Sequence, residues 1–336
     1  MFRAAVFLTL LYKVATTAAQ CIDGDPCPEV IALESSECTD YHAFLARGSD
    51  SPYPGHLGPL VKLTCDGLVG NSSSSDVTCG YENIIFPANS SFAGVDAWCE
   101  SAGTGAKNGQ QQMKDYADKC PDAHLILLGY SQGASVSLDI LGGGGHQIFQ
   151  CTQDSNPAFD PSTTPGSNIV AAAVFGAAIR NSKQGYSVKG GKDYNGTATR
   201  SDEMLTALDQ FGDAGVLRDY CNFGDYVCAK GSEPSALDNH LNYFKKYNTE
   251  AAKWLIKTSF TSTGNKDALA NFDASVSASA SSSSAHPTPT ATKKAAAKAS
   301  ETASAVAAAS PSSGASSSRH AVFSGVLGLS VFAYLL

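Results

Sequence analysis

The chain has 336 residues, 43% of them hydrophobic and only 16% charged, with ten cysteines and a formal net charge of −8. That apolar content supports a buried core and excludes a wholly disordered chain. The ends carry a net excess of basic residues (Arg3 and Lys13 at one, Lys293, Lys294, Lys298 and Arg319 against Glu301 at the other). The body between is therefore more acidic than the whole, which argues against nucleic acid as a partner, because phosphate binding needs a basic footprint.

Residues 1–19 (MFRAAVFLTLLYKVATTAA) place Arg3 before an apolar run from Ala4 to Tyr12 and small residues before Gln20. This is the layout of a secretory signal peptide cleaved after Ala19, although Lys13 interrupts it. The folded region is then 20–262, the size of one α/β domain. Five strands are predicted: 41–47 (YHAFLAR), 82–87 (ENIIFP), 124–129 (HLILLG), 169–176 (IVAAAVFG) and 216–221 (VLRDYC). Most are short continuous apolar runs, as in strands covered on both faces. Helices are predicted over 57–68, 95–120, 132–141 and 241–257. Alternating β and α segments imply a parallel sheet with helices on both faces and right-handed crossovers. The GGGG run at 142–145 ends a helix; no strand precedes it, so it is a loop and not a phosphate cradle.

Residues 263–318 are taken as a stalk, almost entirely Ser, Ala, Thr and Pro from 274 onward, a composition that buries nothing and suits O-glycosylation. Small residues (Ser312, Ser313, Gly314, Ala315) and a polar spacer precede the uncharged AVFSGVLGLSVFAYLL at 321–336. That run is shorter than the about 20 apolar residues a spanning helix needs. The order matches a GPI-attachment signal over 319–336, by which the membrane is reached only through a lipid anchor; a true tail anchor is the alternative. The sequons at Asn71, Asn89 and Asn195 and an even number of cysteines, all between 21 and 228, fit a secreted, cell-surface or cell-wall glycoprotein. No zinc-like pair of CxxC units occurs.

The segment HLILLGYSQGASVSLDIL reads as strand, Gly129-Tyr130-Ser131-Gln132-Gly133, then helix. A nucleophile elbow needs that arrangement. The turn strains the serine, its neighbours two residues away must be small, and the helix N-terminus favours developing negative charge. The Gln132 amide is placed as an oxyanion donor. The base should be a histidine beyond the elbow. His42, His56 and His124 precede Ser131, and His286 and His320 lie in the stalk and spacer. That leaves His146 and, favoured, His240 before the final helix. The acid is expected from a loop after a late strand: Asp225, which a Cys221–Cys228 bridge would hold rigidly, with Asp238 and Asp219 as rivals.

Four segments carry a closer resemblance: Ala46-Arg47-Gly48-Ser49, Cys120-Pro121-Asp122 leading into the GYSQG turn, Gly224-Asp225-Tyr226-Val227-Cys228, and His240-Leu241-Asn242-Tyr243. In these the chain resembles the cutinase and acetylxylan esterase family of fungal secreted serine esterases (carbohydrate esterase family five), from about 38 to 254. The resemblance implies a cutinase-like α/β-hydrolase fold with three layers and a five-stranded parallel sheet. It implies Ser131 as nucleophile, His240 as base, Asp225 as the acid that orients it, and Ser49 with Gln132 as the oxyanion hole. It further implies Cys38–Cys120 and Cys221–Cys228 bridges and an active site without a lid.

The motifs ARGS, GDYVC and HLNY look closer to cutinases than to acetylxylan esterases. Cys21, Cys27, Cys65, Cys79, Cys99 and Cys151 exceed the usual cutinase bridges; Cys65–Cys79 and Cys99–Cys151 are guesses. In Val174-Phe175-Gly176-Ala177-Ala178 the polar residue awaited after the glycine in acetylxylan esterases is missing. The expected activity is a monomeric serine carboxylesterase, with no metal or cofactor, that acts on cutin-like polyesters or short-chain acyl esters. Removal of acetyl groups from wall polysaccharide, and display of a non-catalytic wall module, are the alternatives.

Overall fold

The computed structural model describes residues 27–283. The expected signal segment, the GPI-type tail, Cys21 and most of the stalk lie outside the described residues. In chain order, a single turn α1 (Pro28–Ile31) leads to β1 (Tyr41–Ala46) and α2 (Gly58–Asn71). Next come β2 (Cys79–Asn83), the long α3 (Ala97–Lys119), β3 (His124–Tyr130) and α4 (Gln132–Gly142). A small hairpin, β4 (Gln147–Ile148) and β5 (Cys151–Thr152), precedes β6 (Ile169–Phe175) and β7 (Ser187–Val188). Then follow α5 (Asp202–Asp213), β8 (Leu217–Tyr220), α6 (Leu237–Leu241), α7 (Tyr243–Ser262) and α8 (Lys266–Ser283).

The central sheet runs β2-β1-β3-β6-β8-β7, with every pair parallel. Side chains of β3 alternate between two cores: Leu125 and Leu127 face α3, α4 and α5, while Ile126, Leu128 and Tyr130 face α2, α7 and α8. Both faces are covered, which is why the central strands read as unbroken apolar runs.

Three expectations need correction. The sheet has six strands and not five: β7 adds two residues at the edge, paired only to Asp219 and Tyr220, too short to leave a pattern in sequence. The second strand is Cys79–Asn83 and not 82–87. Beyond Asn83 the chain leaves the sheet: Ile84 still bonds Leu45, but the Ile85 and Phe86 amides turn to the side chains of Gln112 and Tyr53. As an edge strand, β2 tolerates the polar CGYEN.

The folded region also continues past 262. In α8, Ala268 and Phe272 are buried and Leu269 and Val276 pack behind them, so the first part of the expected stalk is core. The Ser/Ala bias of this segment hides a helical apolar spacing. Nor did the apolar runs point to α5, although Ser201 is a usable cap that accepts from the Met204 amide.

Candidate active site

Ser131 sits between β3 and α4 at φ 56° and ψ −116°, in the left-handed half of backbone space. Its amide donates to the Phe175 carbonyl at 2.8 Å, and its carbonyl accepts from Ala134 and Ser135. The flanking glycines are required by close approach. A Cβ at Gly133 would lie 1.9 Å from the Ala46 carbonyl oxygen, and one at Gly129 would lie 2.5 Å from that of Gly133. The strand and helix thus cross tightly and hold the Ser131 hydroxyl at the carboxyl edge of the sheet.

His240, in the last turn of α6, and Asp225, in the loop after β8, converge on that hydroxyl. His240 Nε2 lies 2.9 Å from Ser131 Oγ, and His240 Nδ1 lies 2.9 Å from Asp225 Oδ2. An ionised carboxylate only accepts, so the ring proton sits on Nδ1 and Nε2 is left to accept from the serine. Asp225 is fully buried and His240 nearly so. Burial pushes the Asp225 carboxyl up, but the charge of His240 and hydrogen bonds from His240, Tyr243 and the Val227 amide outweigh it and hold the group below its ordinary range. Gly176, at φ +65°, leaves room for the ring: a Cβ there would stand 2.9 Å from His240 Cε1. Tyr130 stacks on the imidazole and donates its hydroxyl to the His240 carbonyl at 3.0 Å.

The strand order explains what faces Ser131. From β1 the chain goes to β2 on one side and later to β3 on the other, so the loop after β1 meets the turn after β3. A Cβ on Gly48 would touch Tyr130 and approach the Ser131 Cβ to 3.4 Å. The next residue, Ser49, has a buried hydroxyl with no hydrogen-bond partner. Such a group costs about 1–3 kcal/mol when left unsatisfied. The Gln132 side chain faces inward: Nε2 donates to the Asn89 carbonyl at 2.8 Å, and Oε1 accepts from Ser101. Only its backbone amide, in the first turn of α4, is left for a ligand. Arg47 fixes the neighbouring loop by donating to the Phe86 and Pro87 carbonyls, with its guanidinium over the Tyr53 ring. Neither Arg47 nor Tyr243 was given a role from the sequence, although both stand in the motifs quoted above.

The Cutinase family model matches residues 37–259. The chain belongs to the cutinase family. With the family comes the enzyme class, a serine carboxylic ester hydrolase. An acetylxylan esterase of Hypocrea jecorina is 27% identical over 266 residues, 77% of this chain and 78% of its own length. Cutinase 11 of Verticillium dahliae is 25% identical over 239 residues, 69% of this chain and 73% of its own. Among solved structures, the catalytic core domain of acetyl xylan esterase from Trichoderma reesei superposes with a TM-score of 0.51 at 23% identity. That match covers 65% of this chain and 98% of the other, and it shows the shared fold.

In this cutinase-family chain the rival site residues lie elsewhere. His146 is buried beside Asp139, at 3.0 Å, with Arg200 at 3.2 Å, far along α4 from the turn. Asp219 pairs with the buried Arg180 at 2.6 Å, and Asp238 accepts from Asn242 within its own turn. The bridges Cys38–Cys120, Cys65–Cys79, Cys99–Cys151 and Cys221–Cys228 are all formed, and Cys27 is disulfide-bonded too. They fit an oxidising compartment. Of the sequons, Asn89 and Asn195 are exposed, whereas Asn71 donates its amide nitrogen to the Gly67 carbonyl at 2.7 Å.

Proposed function

We propose that this chain hydrolyses carboxylic esters through an acyl-enzyme formed on Ser131. His240 takes the serine proton as the hydroxyl attacks the ester carbonyl, and Asp225 orients the ring and stabilises the imidazolium. The oxyanion is held by the Ser49 amide and hydroxyl and the Gln132 amide. His240 then protonates the leaving alcohol, and water enters to release the acid. The observation that carries this reading is the unbroken path from Ser131 Oγ through His240 to Asp225, with two contacts of 2.9 Å.

Leu241, the chain neighbour of His240, and Phe223, two residues before Asp225, are exposed apolar side chains. This supports cutin-like polyesters or short-chain acyl esters as substrates. Acetylated polysaccharide is the second reading, supported by the named relative from Hypocrea jecorina. Delivery to the cell surface is supported by the signal-like 1–19, the bridges and the GPI-like 319–336. N-glycans are assigned to Asn89 and Asn195, since Asn195 engages only its side-chain oxygen; at Asn71 a glycan would first have to break the bond to Gly67.

The test is hydrolysis of p-nitrophenyl esters from acetate to palmitate by the full chain from an oxidising host, with Ser131→Ala as the blank. A maximum near butyrate, lost in the blank, supports the acyl-ester reading. A sharp preference for acetate moves the assignment to deacetylation. Folded protein no faster than the blank on every ester would leave a displayed, non-catalytic module.

A further inference from the structure

Tyr243 is the first residue of α7, three positions after His240, and it is fully buried. Its hydroxyl accepts the Asn222 amide proton at 2.9 Å and donates to Asp225 Oδ2 at 2.6 Å, the same oxygen that takes the His240 Nδ1 proton. The other oxygen, Oδ1, is occupied by the Val227 and Cys228 amides at 2.8 and 3.3 Å. Burial, and after it the charge of Asp225, push the phenol well above its ordinary range, so it stays a neutral donor.

We propose that Tyr243 is a positioning residue of the reaction, whose hydroxyl fixes the Asp225 carboxylate and weakens its hold on the His240 imidazolium by sharing the same oxygen. The proposal rests on the serine-esterase reading above. A donor on a carboxylate oxygen withdraws charge from every other partner of that oxygen, and in a dry site the change is little screened. Without the hydroxyl, Asp225 would stabilise the imidazolium more strongly, and His240 would become neutral only at higher pH. The base must be neutral to accept the serine proton, so the acid limb of the rate profile should rise with it. The other groups facing His240 are Tyr130 from β3, and Tyr226 and Asp225 from the acid loop. On its own short helix Asp238 bonds Asn242, and Asp219 behind Tyr243 is paired with Arg180.

Tyr247, one turn further along α7, supplies the control. Its hydroxyl donates to Asn222 Oδ1 at 2.8 Å and so ties down the same loop without touching the carboxylate. The experiment is the pH profile of kcat/KM, with kcat and KM separately, for full-chain Tyr243→Phe and Tyr247→Phe on p-nitrophenyl butyrate. For Tyr243→Phe, kcat should fall roughly tenfold with KM within about twofold, and the acid limb should move up by about half a pH unit or more. Tyr247→Phe should leave the limb in place. Superposed profiles for Tyr243→Phe and wild type, or an equal shift in Tyr247→Phe, overturn the proposal. Should Tyr243→Phe not fold, site-specific 3-fluorotyrosine at 243 replaces it. As a stronger donor it should move the limb down, and an unmoved limb is again contrary. Activity surviving in Ser131→Ala would instead overturn the serine-esterase reading beneath.

Discussion

Helix α4 is flanked by two buried Asp–His pairs of nearly the same length, 2.9 Å for Asp225–His240 and 3.0 Å for Asp139–His146. Their chemistry differs because of the third partner. At its N-terminal end, the free ring nitrogen of His240 meets the Ser131 hydroxyl, and the neighbouring Ser49 hydroxyl is left without a partner. Further along, Arg200 lies 2.7 Å from Asp139, Gln153 donates to the other carboxylate oxygen, and the same guanidinium reaches the Gly143 and Ser135 carbonyls. The first cluster keeps an acceptor for a proton. In the second, Arg200 and Gln153 take up both Asp139 oxygens, and the cluster ties α4 to the segments after it. A buried Asp–His pair is therefore no sign of catalysis until its third neighbour is known.

The contrast can be broken at either end. Ser131→Ala should lower kcat/KM by about 10⁴-fold or more with the thermal midpoint little changed, and His240→Ala should lower it as far, as read by ester hydrolysis beside calorimetry. Arg200→Met should do the reverse. Removal of one partner of a buried pair leaves Asp139 uncompensated, so chemical denaturation should show a loss of about 3–5 kcal/mol while the folded fraction keeps its turnover.

A pH experiment sharpens the difference. Burial alone would raise the Asp139 carboxyl, but the Arg200 charge and bonds from His146 and Gln153 hold it below its ordinary range. A carboxyl lowered in the folded state contributes stability that is complete above its unfolded value. It is lost as pH falls from about 4 through the lower folded value. Asp139→Asn should accordingly flatten the loss of stability in that acid window, measured by urea denaturation; an unchanged slope would show that Asp139 does not carry it. Smallest of all, His146→Ala should leave kcat/KM within about twofold of wild type, since His146 touches no reacting group. A large drop would join the two clusters functionally.

Much of the site was legible because its constraints are local. Gly129 and Gly133 are dictated by a strand and a helix crossing within hard-sphere contact, which leaves a recognisable five-residue motif. The acid loop is marked by cysteines seven apart. The central strands were legible because burial on both faces turns them into apolar runs. Less visible were elements whose partners are distant in sequence: β7, held only by β8, polar β2, and α8, whose apolar residues are diluted by Ser and Ala. The roles of Arg47 and Tyr243 were hidden for the same reason. Each acts through hydrogen bonds to backbone or carboxylate groups that adjoin it only after folding.

By itself the sequence determined the fold class, the strand–Ser131–helix turn, and the preference for His240 over His146 as partner of Ser131. Those follow from local sterics, burial periodicity and chain order. Tertiary structure alone decided which oxygen of Asp225 the imidazole and Tyr243 share, and that the Ser49 hydroxyl is left without a partner. Hydrogen bonds depend on tenths of an ångström between segments far apart in sequence, such as Tyr130 and His240, 110 residues apart. No residue spacing encodes such distances until the sheet brings the strand ends together.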